Sequence, residues 1–124
     1  MVHEHIATVF RKGGSVRGRA RRAEFWRYAV VMTAGNQLAL VLMGLTDVRA
    51  LDLALTVVVG YLTGLGVATL IRRLHDTGNS GLMVLWALIP LGVLVLWWLA
   101  LRDGKPGPNK WGDSPKYPAV TVAA

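Results

Sequence analysis

Long apolar stretches, each free of charged side chains, dominate the pattern along the chain. They cover residues 28–46, 53–71 and 82–101 and contain nineteen, nineteen and twenty residues. As helices rising about 1.5 Å per residue, each matches the ~30 Å hydrocarbon core of a bilayer. Amphipathic helices of soluble proteins carry charges every few residues, and these stretches do not. The pattern therefore predicts an all-α, polytopic membrane protein, a bundle of three transmembrane helices.

Polar segments connect and flank the three predicted helices. Short links at 47–52 and 72–81 force antiparallel hairpins, and the second link ends in turn-forming Gly and Asn residues. Residues 1–27 form a basic N-terminal segment. Its apolar residues recur at helical spacing and predict a short surface helix over 2–12, with a frayed terminus as an equal alternative. Residues 102–124 form an irregular tail rich in Pro and Gly. The chain, 1–124, is predicted to be a single membrane domain.

Composition argues against a soluble domain. Of 124 residues, 53% are hydrophobic and 17% are charged, whereas a typical soluble domain carries about 25% charged residues. So short a chain buries too little surface to hide this apolar excess from water. The absence of cysteine excludes disulfides, thiolate metal sites and cysteine nucleophiles. A cleaved signal peptide is disfavoured, because nineteen apolar residues exceed the roughly 7–15 of a signal core.

Basic residues predict the orientation, because loops rich in Lys and Arg stay in the cytoplasm. With three straight spans and a cytoplasmic N-terminus, nine Lys or Arg residues lie inside and five outside. This predicts a multi-pass protein of the bacterial inner (plasma) membrane, its N-terminus cytoplasmic and its tail outside. Trp26 and Trp97 then lie at opposite headgroup levels. A re-entrant hairpin broken at Pro90-Leu91-Gly92 is the alternative, and it returns the tail to the cytoplasm.

The densest polar cluster follows the second apolar stretch. Cations at a helix C-terminus complement its dipole and anchor the span at the headgroups, which is the more conservative interpretation. If the N-terminal arginines lie on the same side, the cluster predicts contact with an anionic lipid headgroup or a protein partner. The candidate residues are Arg19, Arg21, Arg22, Glu24, Arg72, Arg73, His75 and Asp76. Glu24 and Asp76 are expected to pair with the arginines.

A catalytic role for this cluster is disfavoured. Adjacent residues on a helix diverge by about 100°, so His75 and Asp76 are not expected to face each other. Neither a nucleophile nor a metal-ligand set accompanies them. We therefore predict no catalytic residue, no metal and no cofactor. The arginine run at 17–22 is explained by membrane topology, without nucleic acid as a partner.

Small residues recur every four positions along the second apolar stretch, at Thr56, Gly60, Gly64 and Ala68. Such a face lets two helix backbones approach closely. The preferred interpretation is packing against the chain's own first or third span, and the alternative is a homo-oligomer seam. Asn36, in the middle of the first stretch, needs another helix or water, because an unpaired amide in hydrocarbon costs several kcal/mol.

Three motifs resemble those of a known family. They are RGRARRAEFW at 17–26, RRLHDTGNSG at 72–81 and GKPGPNKWGDSP at 104–115. Over about residues 15–118 the chain resembles the bacterial inner-membrane family called domain of unknown function 805. Asn79, Trp111 and one added residue within 113–115 depart from the family pattern. The resemblance implies a polytopic membrane protein, but it supplies no reaction, ligand or partner.

These patterns predict a non-enzymatic membrane component. It is expected to act as a scaffold, an accessory subunit or an envelope-stress protein, through helix packing and contacts with anionic lipids, a second copy or a membrane protein partner. The alternative is an oligomeric passive pore or small transporter, with a path lined by Asn36, Gln37, Thr56 and Thr63. An enzyme acting on lipid headgroups ranks third.

Overall fold

The structure, a computed structural model, describes residues 2–117. Helices make up most of this range. They are α1 (Val2–Lys12), α2 (Arg22–Leu45), α3 (Arg49–Asp76), a 3₁₀ helix (Gly81–Leu88) and α4 (Gly92–Leu101). Within residues 2–117 there is no β-strand longer than an isolated bridge between Asn109 and Gly112. The predicted all-α class is confirmed.

The two long helices α2 and α3 form an antiparallel hairpin joined by residues 46–48. At about 1.5 Å per residue they are about 36 and 42 Å long, enough to cross the hydrocarbon core. Both are apolar enough to span a membrane, yet only 11% and 17% of their most apolar stretches are buried. The core helix of a soluble protein is mostly buried. These exposed apolar faces therefore suit lipid, as the first two predicted stretches require.

The short helix α1 packs against the first turns of α2 and the facing part of α3. Its Val9 is completely buried and forms a cluster with Tyr28 of α2 and Leu65 of α3. The Phe10 ring meets the Tyr28 ring edge-on at 6.3 Å, and the Tyr28 hydroxyl donates to the Leu62 carbonyl at 2.7 Å. The predicted helix at 2–12 is present, and one apolar side chain ties it to both long helices.

The structure does not confirm a continuous third transmembrane helix over 82–101. The apolar segment is divided into the 3₁₀ helix and α4 by a turn at 89–91. Pro90 has no N–H to continue a helical ladder, and Leu91 adopts the left-handed conformation at φ 66°. A Cβ at Gly92 would collide with the Trp86 carbonyl, so the turn needs glycine there. The break lies at Pro90-Leu91-Gly92, where the alternative of a re-entrant hairpin placed it.

The two arms of this hairpin return the chain to the end of α3. With ten residues, α4 is about 15 Å long, half of the bilayer core. Leu96 and Leu99 of α4 cluster with Leu74 of α3, and the Trp97 and Trp26 rings meet edge-on at 6.5 Å. The predicted placement of these tryptophans at opposite ends is therefore wrong. The tail begins at the same end of the molecule as the N-terminal segment.

Candidate functional site

Asp76, the last residue of α3, lies at the centre of a buried polar network. Its carboxylate accepts a hydrogen bond from Arg19 Nε at 2.9 Å and another from Arg73 Nη1. The side chains of Arg19, Arg73 and Asp76 are 1%, 0% and 3% exposed. Two guanidinium groups thus share one carboxylate away from solvent. We call these three residues the arginine clasp.

The clasp holds the end of α4 and the C-terminal tail by donating hydrogen bonds to their backbone carbonyls. Arg19 Nη1 donates to the Gly107 carbonyl at 2.7 Å, and its Nη2 donates to that of Lys105. Arg73 donates from Nε to Ala100 O at 3.1 Å and from Nη2 to Arg102 O. Arginine can bind several carbonyls at once because its planar guanidinium group carries five N–H donors. The tail is therefore held by charges that lie far from it in sequence.

Two contacts of the tail backbone with Asp76 also hold the tail in place. The Lys105 N–H donates to the Asp76 carbonyl at 2.9 Å. Gly104 is buried against the Asp76 carboxylate, and a Cβ at this position would collide with both carboxylate oxygens. Only glycine fits where the tail crosses the clasp.

A second ion pair links α3 to the start of α2. Arg72 Nη1 donates to Glu24 Oε1 at 3.0 Å, and Arg72 Nη2 donates to Thr69 Oγ1 at 3.1 Å. The other carboxylate oxygen of Glu24 lies 3.6 Å from Lys12 Nζ, which brings α1 into the network. The Ala20 N–H also donates to the Arg72 carbonyl at 3.0 Å. The ion pairs expected for Glu24 and Asp76 are both present.

His75 points away from the carboxylate of Asp76. Its Nδ1 lies 3.1 Å from the Gly18 carbonyl, and its ring stacks on Trp111 at 4.4 Å with an angle of 9°. Asn109 Nδ2 donates to the His75 carbonyl at 3.0 Å. His75 and Asp76 thus bind different partners, and their side chains are not arranged as a catalytic His–Asp pair. Within residues 2–117, no three His, Asp or Glu side chains are grouped to hold a metal.

The eight candidate residues therefore separate into two groups. Those buried in the network described above are Arg19, Glu24, Arg72, Arg73, His75 and Asp76. Arg21 and Arg22 are exposed instead. They line a groove of about 300 Å³ that we call the cationic groove, with His5, Ala23, Arg27 and Lys116. Anion contact is thus open to the second group, while the first is occupied by contacts within the chain.

Tail residues are the part of the site that sequence reasoning missed. Asn109 and Trp111 contact His75, and Gly104 contacts Asp76. All three lie in the third motif of the family resemblance, at 104–115. That motif was the available signal, but a straight third span would have placed it on the far side of the bilayer.

A surface ion pair closes the tail on itself. Asp103 Oδ2 accepts hydrogen bonds from Lys116 Nζ at 2.6 Å and from the Tyr117 hydroxyl at 3.0 Å. These bonds stabilise the charged carboxylate and lower the pKa of Asp103 from 3.8 to about 2. The same contact raises the pKa of Lys116. The tail therefore keeps this charge pair at neutral pH.

The small-residue face of α3 is mostly open. Thr56, Gly60 and Gly64 are exposed, and Ala68 alone of the four is buried. A Cβ at Gly60 or Gly64 would meet nothing within 4 Å. The preferred interpretation, packing against the chain's own spans, is therefore wrong at the two glycines. Their face remains available to lipid or to another helix.

Two apolar helices long enough to cross a bilayer, a shorter apolar hairpin and a basic end define a helical membrane protein. The chain belongs to the family described as protein of unknown function (DUF805), whose sequence profile matches residues 14–113. It is 38% identical over 106 residues to the inner membrane protein YhaI of Escherichia coli K12, covering 81% of this chain and 85% of that protein. It is 37% identical over 109 residues to the inner membrane protein YhaH of the same strain, covering 81% and 86%. No solved structure matches the chain.

Proposed function

We propose that this protein is a non-catalytic scaffold of the bacterial inner membrane whose basic end binds the anionic lipids of the cytoplasmic leaflet. The observation that carries the proposal is the charge distribution in the folded chain. Thirteen of the fourteen Lys and Arg residues lie at one end of the α2–α3 hairpin: seven in 11–27, two at the end of α3 and four in the tail. Arg49, beside the connecting loop, is the remaining one.

This distribution supports a cytoplasmic location for both the N-terminal segment and the tail. The positive-inside rule applies to short flanking segments, and here they differ by thirteen to one, against nine to five for three straight spans. In this arrangement α2 and α3 cross the bilayer, the loop 46–48 faces the outside, and the hairpin 81–101 enters the inner leaflet. Anionic headgroups of that leaflet attract basic residues by about 1 kcal/mol each.

A structural role for the buried network supports the non-catalytic assignment. Arg19, Arg73 and Asp76 bind one another and the tail, so their polar atoms are already occupied. Arg72 and Glu24 also form an ion pair, although Arg72 Nε has no hydrogen-bond partner among the described residues. Buried ion pairs of this kind are costly to break and help to specify one arrangement of the chain. The network links six segments at the basic end, which are α1, residues 13–21, α2, α3, α4 and the tail.

Topology is tested by thiol labelling, which has no background from native thiols because the chain has no cysteine. Single variants Ser15→Cys, Asp47→Cys and Asp113→Cys place a thiol in the N-terminal segment, the loop and the tail. A membrane-impermeant maleimide added to intact spheroplasts should label only the Asp47→Cys variant, and all three after lysis. Labelling of the Asp113→Cys variant from outside would instead support a straight third span and refute the proposed orientation.

Lipid binding is tested with vesicles of phosphatidylcholine with and without phosphatidylglycerol. The purified protein should partition preferentially into the anionic vesicles, and the preference should weaken with salt. Arg17→Gln should reduce it by about 1 kcal/mol, whereas Gln37→Ala, a neutral change in the middle of α2, should leave it unchanged. Equal partitioning of the wild-type protein into both vesicles would refute the lipid assignment.

The pore alternative has weaker support. Asn36 and Thr63 line a groove of about 410 Å³, and Asn36 and Thr56 line another of about 270 Å³. Thr56 Oγ1 is already bonded to the Asp52 carbonyl at 2.8 Å. Asn36 Oδ1 is buried without a partner in the described chain, which is the one feature that favours a polar path. A pore requires several copies, so a purely monomeric species in mild detergent would eliminate it.

A further inference from the structure

A second groove on α2 is lined by residues that are neighbours along the helix of those in the cationic groove. It has a volume of about 480 Å³, is lined almost entirely by apolar side chains, and lies between α2 and Trp97 of α4. Trp26, Ala29 and Thr33 contribute to its α2 wall. Ala29 contributes only a small side chain to the lining, which also includes the Trp26 and Trp97 rings that meet edge-on. We call it the apolar groove.

Arg22 of the cationic groove lies on the same face of α2 as the apolar groove, and it binds the end of α4 as Trp26 does. Arg22, Trp26, Ala29 and Thr33 are spaced by four, three and four residues, which places them in one stripe along the helix. Arg22 Nη1 donates to the Leu101 carbonyl and Trp26 Nε1 to the Ala100 carbonyl, both at 3.2 Å. The stripe spans about 16 Å, close to the depth of one leaflet.

We propose that the two grooves together form a site for one anionic glycerophospholipid. Its phosphate binds among the side chains of the cationic groove, and one acyl chain lies along the apolar groove. This inference rests on the proposed function and adds a stoichiometric site to the general attraction of the basic end. The apolar groove has the volume of an ordinary ligand pocket, which is about 300–1,000 Å³.

The chemistry of the groove walls fits the two parts of such a lipid. Arginine binds phosphate oxygens through paired N–H donors, and Arg21 and Arg22 both reach the cationic groove. Arg27 and Lys116 are the other two cations of its lining, and the Lys116 ammonium also binds Asp103. The nearby carboxylate of Glu24 is turned toward Arg72 and Lys12 and so does not oppose an anion. A free phosphate would leave the apolar groove empty, so the stripe that runs from Arg22 to Thr33 favours a lipid.

The site is tested by native mass spectrometry of the full-length protein released from nanodiscs that contain equal amounts of phosphatidylglycerol and phosphatidylcholine. The wild-type protein should retain one phosphatidylglycerol. Ala29→Trp fills the apolar groove and should lower this occupancy at least tenfold. Val31→Trp adds the same bulk at nearly the same depth, at a residue that is exposed and lies outside the groove lining, and should retain the lipid.

A second pair of variants tests the headgroup contact. Arg21→Gln with Arg22→Gln should lower the occupancy at least tenfold, whereas Arg17→Gln with Lys110→Gln removes the same charge elsewhere at the basic end and should not. Thr33→Leu, a smaller filling change, should lower the occupancy partly and serves where Ala29→Trp fails to fold. Equal lipid retention by the groove variants and their controls would overturn the inference.

Two further arms separate the possible explanations. Inorganic phosphate and deacylated glycerophosphoglycerol, added at millimolar concentration, should not displace the bound lipid. Displacement by either would identify a free-phosphate site and overturn the lipid assignment. If the wild-type protein prefers anionic vesicles but the groove variants behave like their controls, the specific site fails while the proposed function stands. If the wild-type protein shows no such preference, both fail.

Discussion

Asp76→Asn removes the charge that two buried guanidinium groups share, while it keeps the shape of the side chain. In the wild-type protein, the carboxylate accepts one bond from Arg19 Nε at 2.9 Å and one from Arg73 Nη1. None of these three side chains is more than 3% exposed. Water therefore cannot replace the lost charge, and the substitution leaves two cations without their counter-ion.

The expected magnitude follows from the partners that remain. Breaking a buried ion pair by removing one member typically costs about 3–5 kcal/mol. Both arginines keep backbone carbonyls as acceptors, and an asparagine Oδ1 still accepts one bond. We therefore expect a loss near the lower limit, about 3 kcal/mol. Since about 1.4 kcal/mol is a factor of ten, the population with a released tail should rise roughly a hundredfold.

Tail release is measured with the variant Ser114→Cys as the parent. Ser114 is buried, at 2% exposure, and an introduced thiol is the only one in the chain. When opening is fast relative to labelling, the maleimide reaction rate reports the open population. Asp76→Asn should accelerate labelling about a hundredfold in detergent micelles. Asp113→Asn, the same change at an exposed tail residue, should alter it by no more than about twofold.

A rate for Asp76→Asn within about threefold of the parent would refute the reasoning. It would mean that the contacts of the tail with backbone and aromatic groups hold it without the clasp. Circular dichroism of the same samples separates this result from general unfolding, because α2 and α3 should keep their helical signal.

Two other predictions use the same tail. Gly104→Ala places a Cβ against the Asp76 carboxylate and should destabilise the docked tail by about 1–3 kcal/mol, measured by the same labelling; Gly60→Ala, with nothing within 4 Å, is the control and should have no effect. Because hydrogen bonds from Lys116 and Tyr117 lower the pKa of Asp103 to about 2, the stabilisation from this contact is complete above pH 3.8 and is lost as the pH falls through about 2. Carboxyl ¹³C NMR should show that titration, and a midpoint near 3.8 would contradict it.

The two long helices were predictable because hydropathy measures the property that places them. The charge-free stretches 28–46 and 53–71 lie within α2 and α3 apart from the loop-proximal end of the first, at Thr46. The structure extends both helices into the polar segments beside them. A long apolar segment in lipid must satisfy its backbone internally, and a helix does this without any other part of the chain.

The third apolar stretch shows where this reasoning stops. Hydropathy reports the free energy of transfer into lipid, which is the same for a segment that crosses the bilayer and one that folds back within a leaflet. Pro90 and Gly92 permit the break locally. Whether the chain turns back there depends on the contacts that the tail makes at the end of α3. A short stretch of sequence does not show these contacts, because the partners are far apart along the chain.

By itself, the sequence determined the membrane environment, the family and the α2–α3 hairpin, because each depends on local apolar pattern or on motif identity. It left helix α1 and a frayed terminus as equal alternatives, and the structure decided between them. Tertiary structure alone decided where the tail lies and which charged residues stay accessible. Arg19 and Asp76 are 57 positions apart, and Arg19 and Gly107 are 88 positions apart. Buried charges must find partners, and in this protein the partners come from three distant segments. That requirement returns the tail to the basic end and leaves Arg21 and Arg22 exposed.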